Sequence, residues 1–325
     1  MRRAIASLLL VGLAGALLAA CGSTSDHAER LTLAALGTKL PSTSPAPPPS
    51  PEAPCGDVTA SLRPDAVMPA PGAMPAGSFM ARIERRGYLV AGVDQNTLLF
   101  AYLNPQNGQL EGFEIDILRD LANAIFGNKP GDIRFKAITT AERIPAVQNG
   151  TVDVVADAVT ITCDRRKQVD FSTVYYDAGQ KLLVPANSPI RSYRDLSGKR
   201  VCATIGSTSI KTLTEKAPRS IPYPVQQRTD CLVALQQGLV DAVTSDDSIL
   251  LGFKAQDPYT KIVGTSFAAE PYGMAISKAH PDFVRFVNGV LAAMRADGTW
   301  RAIYSRWLGK VSPAIPAPPT AHYLG

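Results

Sequence analysis

Five cysteines, three histidines and a few charged side chains near the ends of strands and helices carry the reactive chemistry of this 325-residue chain. Cys21 follows Leu18-Ala19-Ala20, at the end of an uncharged apolar run that starts after Arg2 and Arg3. A basic start, a short apolar stretch and small residues before a cysteine form an export signal. The thiol of such a cysteine takes up diacylglycerol, and Cys21 then becomes a lipidated N-terminus. Read instead as a span, the run sits at the lower margin of bilayer thickness. Cys55, Cys163, Cys202 and Cys231 form an even set in an exported chain, which points to two disulfides of open connectivity. None lies in a CxxC pair or at metal-ligand spacing from histidine, so no metal is expected. His27 and His322 fall in the tails and His280 in a Lys-Ala-His-Pro turn. With histidines so placed there is no Ser-His-Asp or Cys-His arrangement, and no GxSxG or phosphate-cradling loop appears. The sequence therefore predicts no catalytic residue, no cofactor and no enzyme. Arg143, Arg165 and the Ser245-Asp246-Asp247 run remain. By residue type alone Arg165 reads as a solvated helix-start charge, and Arg143 as a surface partner of Glu142 or Asp164. Both aspartates read as caps of the next helix.

The elements that must hold these groups follow from hydrophobic patterning. Tyr88–Val93 reads as a buried strand, Ile115–Phe126 as a helix with one apolar face, and Arg134–Ile138 as a strand. Ala141–Asn149 is helical and Val152–Val155 a short strand. The rhythm restarts with a strand at Arg200–Ala203, a helix at Ser209–Ala217 and a strand at Tyr223–Gln226. A helix at Cys231–Gln237 and a strand at Ala242–Val243 follow, and helices Asp282–Asp297 and Trp300–Leu308 close the pattern. Strand–helix alternation predicts an α/β fold of two lobes with mainly parallel mixed sheets. Residues 1–20 are the signal and 21–75 a Ser- and Pro-rich tether. Residues 76–184 with 270–310 form lobe 1, 185–269 form lobe 2, and 311–325 form a Pro-rich tail. The 33 basic and 28 acidic residues become 31 against 28 once Arg2 and Arg3 leave with the signal. With no basic stripe, a nucleic-acid partner is excluded.

Six segments in order resemble a known family. They are Gly112-Phe-Glu-Ile-Asp-Ile117, Arg143-Ile-Pro-Ala-Val-Gln with Gly150-Thr-Val-Asp153, Thr160-Ile-Thr-Cys-Asp-Arg165 with Val169-Asp-Phe-Ser172, Asp195-Leu-Ser-Gly-Lys199, Gly206-Ser-Thr-Ser209, and Gly298-Thr-Trp with Ile303-Tyr and Arg306-Trp307. Together they are similar to the extracytoplasmic amino-acid-binding proteins of ABC importers, solute-binding protein family 3, over roughly residues 80–310. With the Cys21 signal, the chain closely resembles the glutamine/glutamate-binding lipoproteins of high-GC Gram-positive bacteria. The resemblance implies a type II periplasmic-binding-protein-like fold with two hinge crossovers, near Lys181–Asn187 and Ser266–Gly273. It implies a monomeric receptor, anchored by lipid on the outer face of the cytoplasmic membrane, that hands an amino acid to ABC permease subunits. Related lipoproteins have cysteines at similar places, which implies the pairs Cys202–Cys231 and Cys55–Cys163.

The resemblance also assigns ligand residues. Arg165 matches the arginine that grips the α-carboxylate, helped by backbone N–H groups of Thr160 and of the Ser207–Thr208–Ser209 turn at a helix N-terminus. Asp246 matches the second-lobe aspartate that receives the ammonium, with the Thr160 hydroxyl and a carbonyl near Ala158 as companions; Asp247 is the alternative partner. Arg143 matches an arginine on a distal carboxylate, and Asp94 an acid that accepts from a side-chain amide. Having both leaves Glu, Gln, Asp and Asn open. Where many members place aromatic rings against the ligand, this chain has Thr97-Leu98-Leu99 and Thr139-Thr140, which favours a short polar ligand. Two other functions stay on the page: a sensor that reports amino-acid levels to a membrane partner, and a dehydratase-like enzyme on the same fold.

Overall fold

The computed structural model describes residues 55–325 except Pro130 and Pro313. The expected signal, the expected lipidation site Cys21 and the expected tether up to residue 54 lie outside the described residues. The first sheet runs Ile133–Ala137, Leu89–Val93, Val154–Val155, Ala275–Ile276, Asp170–Phe171. Leu89–Val93 is parallel to both of its neighbours, while Ala275–Ile276 is antiparallel to both of its own. The second sheet runs Ile221–Val225, Arg200–Thr204, Ala242–Asp246, Tyr176–Pro185, Thr260–Val263. It too is parallel on one side and antiparallel around the long strand Tyr176–Pro185. The sheets are thus evenly mixed, where the sequence pattern led us to expect mainly parallel ones. The antiparallel strands are those by which the chain crosses between lobes and returns.

Both sheets are apolar on each face, as helix-covered sheets must be. In the first, Val154 and Ile276 enter one core while Val155 and Ala275 enter another. In the second, Leu183, Cys202 and Val243 face one core and Leu182, Val184, Val201 and Ala242 the other. The period-two alternation of a strand produces both sets. Helix Phe113–Phe126 follows a small antiparallel sheet of Asn96–Thr97, Ala101–Leu103 and Leu110–Glu111, and buries Phe113, Ile117, Leu118, Leu121 and Ile125. Helices Pro281–Asp297 and Thr299–Leu308 cover the same lobe, and the Trp300 indole donates to the Tyr175 carbonyl at 2.8 Å. No helix among the described residues is long and apolar enough to cross a membrane.

The lobes are joined by a two-stranded ribbon. Tyr176–Gly179 of the long strand pairs antiparallel with Ala269–Tyr272, and the Tyr176 and Tyr272 rings stack at its base, 5.6 Å apart. The first crossing therefore lies ahead of Lys181. Residues 180–185, assigned to lobe 1 by sequence up to 184, are strands of the second sheet.

Residues 55–75 are bound to the first lobe, where the sequence assigns them to a flexible tether. Cys55 is bonded to Cys163, and Arg166 donates to the carbonyls of Val58 and Ala60. The Ser61 hydroxyl donates to the Phe171 carbonyl, while Asn288 donates to Ser61 Oγ and the Leu62 carbonyl. Met74 is buried. The C-terminal segment lies beside this strap, with Ser61 N donating to the His322 carbonyl and Leu324 N to that of Ser61. Proline-rich composition hid these anchors. In the second lobe Cys202 is bonded to Cys231.

Candidate functional site

The residues singled out in the sequence converge at the C-terminal ends of the strands, where open α/β sheets expose backbone donors and loops. Asp94 follows Leu89–Val93, Thr139 and Thr140 follow Ile133–Ala137, and Ala158 and Thr160 follow Val154–Val155. From the second lobe come Ser207 and Thr208, after Arg200–Thr204, and Asp246 at the end of its own strand. Ser207 caps helix Thr208–Lys216, its Oγ accepting from Ile210 N and its hydroxyl donating to the Thr204 carbonyl. The other N–H groups of the first turn have no partner within the helix. Gly206, just before the cap, has φ +78, and a Cβ there would lie 2.9 Å from Ala141 Cα of the other lobe. Only glycine allows this approach.

Arg165 lies at this seam. Its Nη1 donates to the Thr160 carbonyl at 2.7 Å and its Nη2 to the Gly206 carbonyl at 3.1 Å. Burial, followed by the charge of Arg143, lowers its pKa to about 9. Half-buried, it makes no ion pair within 4 Å among the described residues, so its guanidinium stands without a bonded carboxylate. Arg143 lies deeper, 3 % exposed, and pairs with neither Glu142 nor Asp164. It donates to the carbonyls of Thr140, Asp157 and Ala158, with Nη2 reaching the Gly206 carbonyl at 3.4 Å. Burial lowers its pKa as well. Ala158, whose carbonyl Arg143 holds, adopts φ +48, a left-handed conformation costly for a residue with a Cβ. Its N–H donates to Glu114, whose pKa is pushed to about 7 by burial and then by Asp157.

Opposite Arg165 stand two buried acids. Asp246 Oδ2 accepts from the Tyr272 hydroxyl at 2.6 Å, and Ser209 approaches Oδ1 at 3.5 Å. Glu270, on the ribbon, accepts from the hydroxyls of Thr160, in the first lobe, and Thr208, in the second. Burial raises both pKa values, that of Asp246 to about 7, where the neighbouring Glu270 charge adds to the effect. Neither makes an ion pair with a described lysine or arginine. Asp247, the alternative to Asp246, is engaged by Lys181 at 3.3 Å.

Asp94 is held from several sides. Its carboxylate accepts from the Gln95 and Asn96 N–H groups and from the Thr97 hydroxyl, and also from Arg228 Nη1 at 3.0 Å. Arg228 belongs to the second lobe, at the start of helix Arg228–Gln236. A polar cavity of about 210 Å³ opens beside this contact, lined by Asp94, Asn96, Thr139, Glu142 and, from the second lobe, Gln227.

Two residues of this site were invisible in the sequence. Glu270 falls within Glu-Pro-Tyr-Gly at a crossover, where only a hinge was legible. Arg228 precedes the apolar part of its helix and looks like any solvated arginine. Their partners lie 62 to 110 and 71 to 134 residues away, so only the fold brings them together.

The sequence profile of the bacterial extracellular solute-binding proteins, family 3, matches residues 89–310. The chain is 39 % identical to the glutamine-binding protein of an ABC transporter of Bacillus subtilis, over 72 % of this chain and 86 % of that one. It is 30 % identical to the L-glutamate/L-aspartate-binding protein of Pseudomonas aeruginosa, over 72 % of this chain and 81 % of that one. Among solved structures it is similar to an ancestral amino-acid-binding protein that is a precursor of cyclohexadienyl dehydratase. That likeness has a TM-score of 0.65 and 31 % identity, and it covers 71 % of this chain and 99 % of that one.

Proposed function

The chain belongs to the bacterial extracellular solute-binding proteins of family 3, and on that footing we propose that it is a lipid-anchored receptor for a polar amino acid of the Glu, Gln, Asp or Asn class. It acts as a monomer, bound to the outer face of the cytoplasmic membrane through Cys21, and delivers its ligand to an ABC permease. One observation carries the reading: the cleft holds a half-buried guanidinium without a carboxylate, opposite two buried carboxylates without a cation. An amino-acid zwitterion supplies both missing charges at once. Its α-carboxylate goes to Arg165 and to the first N–H groups of helix Thr208–Lys216, and its ammonium to Asp246 and Glu270. Charge-assisted bonds of this kind offset the desolvation of both partners.

The side chain of the ligand then points toward Thr139, Thr140, Thr97 and Asp94. Hydroxyls and a paired acid there favour a polar end group over an apolar one. The relatives that bind glutamine in one case and glutamate and aspartate in the other support the same class. Arg143, whose donors are taken by backbone carbonyls, supports the Ala158 loop from below and contributes its charge to the anionic end of the ligand.

Several observations support a receptor rather than an enzyme. The relatives are transport binding proteins, and neither described histidine reaches the cleft. His280 stacks on Phe79, and His322 contacts Asp57. Calorimetry of the purified chain against all twenty amino acids tests the proposal. Binding confined to Glu, Gln, Asp and Asn is expected, and binding of none of the twenty ends the receptor reading.

A further inference from the structure

Arg228 is carried by the second lobe, yet every hydrogen bond its guanidinium makes among the described residues goes to the first. Nη1 donates to Asp94 Oδ2 at 3.0 Å, to Thr97 Oγ1 at 3.2 Å and to Asp157 Oδ1, and Nη2 donates to the Asp157 carbonyl at 3.1 Å. The residue is 6 % exposed and Asp157 1 %. We propose that Arg228 is a closure residue: a cation of the second lobe that enters a two-carboxylate socket of the first and favours the closed cleft irrespective of which amino acid it holds. The proposal rests on the receptor reading for its ligand arm only.

Three features point this way. First, among the described residues none of its bonds goes to its own lobe, so these buried bonds exist only when the lobes meet. Second, the socket is built for a cation. Burial works against the charge of Arg228, but Asp157 and Asp94 outweigh it and raise its pKa above the ordinary arginine value. At Asp157 burial outweighs the charges of Arg228 and Arg143 and the pKa is raised, with the neighbouring Asp94 adding to it. Asp157 Oδ2 has no hydrogen-bond partner and lies 4.0 Å from Arg143 Nε. Arg143 in turn reaches across to the Gly206 carbonyl, so the acid that seats Arg228 also borders the second link between the lobes. Third, both terminal nitrogens of the guanidinium are engaged by Asp94, Thr97 and Asp157 of the first lobe. A residue so engaged acts through lobe position and not through ligand identity.

A closure residue has a quantitative signature. Where the binding-competent state is a fraction of the population, the apparent Kd is the intrinsic Kd divided by that fraction. Removing Arg228 should therefore multiply the Kd of every bound amino acid by one common factor, equal to the fall in closed fraction.

The test uses the full chain with dyes on unnatural amino acids at exposed Lys129 and Tyr259, one in each lobe, and single-molecule energy transfer without ligand. Arg228→Gln should lengthen the interlobe distance, and Arg228→Lys should keep part of the closed population. The double variant Arg228→Gln with Asp157→Asn removes the stranded acid and safeguards folding; it should open in the same way. Calorimetry with glutamate and glutamine should give equal fold-losses. An unchanged distance distribution in Arg228→Gln and in the double variant overturns the proposal. Unequal losses for glutamate and glutamine do so too, and would make Arg228 a reader of the ligand side chain. If the wild type binds no amino acid, the receptor reading falls while the energy-transfer result still decides the role of Arg228.

Discussion

Replacing Gly252 with alanine separates the stability of the second lobe from its ability to close. Gly252 lies inside helix Asp247–Gln256, and a Cβ placed there would stand 2.6 Å from the Leu98 carbonyl oxygen of the first lobe. Ordinary contact begins at 3.4 Å, so the lobes would have to yield by several tenths of an ångström against backbone. Within the helix, alanine is favoured over glycine by about 0.5–1 kcal/mol. Across the cleft, overpacking of this kind costs about 1–3 kcal/mol. At about 1.4 kcal/mol per decade, the closed complex weakens roughly 5- to 150-fold, by a similar factor for every ligand. Urea unfolding of the ligand-free chain, beside calorimetry with glutamate and glutamine, reads the two effects separately. The expected result is an unchanged or higher unfolding midpoint with a higher Kd. Unchanged affinity in Gly252→Ala would refute the reasoning, since the Leu98 contact would then not belong to the bound form.

If Cys21 carries the proposed lipid, Cys21→Ser should leave an uncleaved or soluble product and lower membrane retention; wild-type retention in fractionation would contradict the anchor. Asp246→Asn and Glu270→Gln should weaken all amino acids alike, since the ammonium is common to them, and a loss confined to one ligand class would reassign these acids. Because burial raises both pKa values, Asp246 to about 7, ligand affinity should fall as pH drops from 8 to 5.5. The sign for stability is opposite. A carboxyl whose folded pKa lies above its unfolded value destabilises the ligand-free fold as pH rises from near 4 through about 7, so unfolding at pH 5.5 should need more urea than at pH 8. Loop-closure entropy for sequence separations of 108 and 29 gives about 4.8 kcal/mol for Cys55–Cys163 and about 3.6 kcal/mol for Cys202–Cys231. Cys-to-Ser variants of the two pairs should lower the unfolding midpoint in that order, and a reversed order would show that the longer loop is already constrained when unfolded.

Local patterning revealed what is locally encoded. The strand Leu89–Val93 and the helices Phe113–Phe126 and Pro281–Asp297 follow from apolar runs and periodicity, with ends displaced by a residue or two. Patterning failed where an element is too short to have a period. Ala275–Ile276 has two residues, and its antiparallel pairing is what makes the first sheet mixed. It failed again where composition misleads, as in the strap, whose proline- and alanine-rich sequence conceals the residues that anchor it. Arg165 and Asp246 were legible as candidates because they sit in recognisable runs. Glu270 and Arg228 acquire their chemistry from neighbours that only the finished fold supplies.

The joint between the lobes also sets which groups travel. A narrow antiparallel ribbon bends and twists far more readily than it stretches, so one lobe swings about it without sliding. Displacement then grows with distance from the ribbon, as on a lever. Glu270 is part of the ribbon, paired with Ala178, and sits at the fulcrum. Arg228 rides on the swinging arm. On the proposed reading, an arriving amino acid meets the fulcrum carboxylate in nearly the same place whether the jaws stand apart or together, and the first foothold of its ammonium does not wait for the swing.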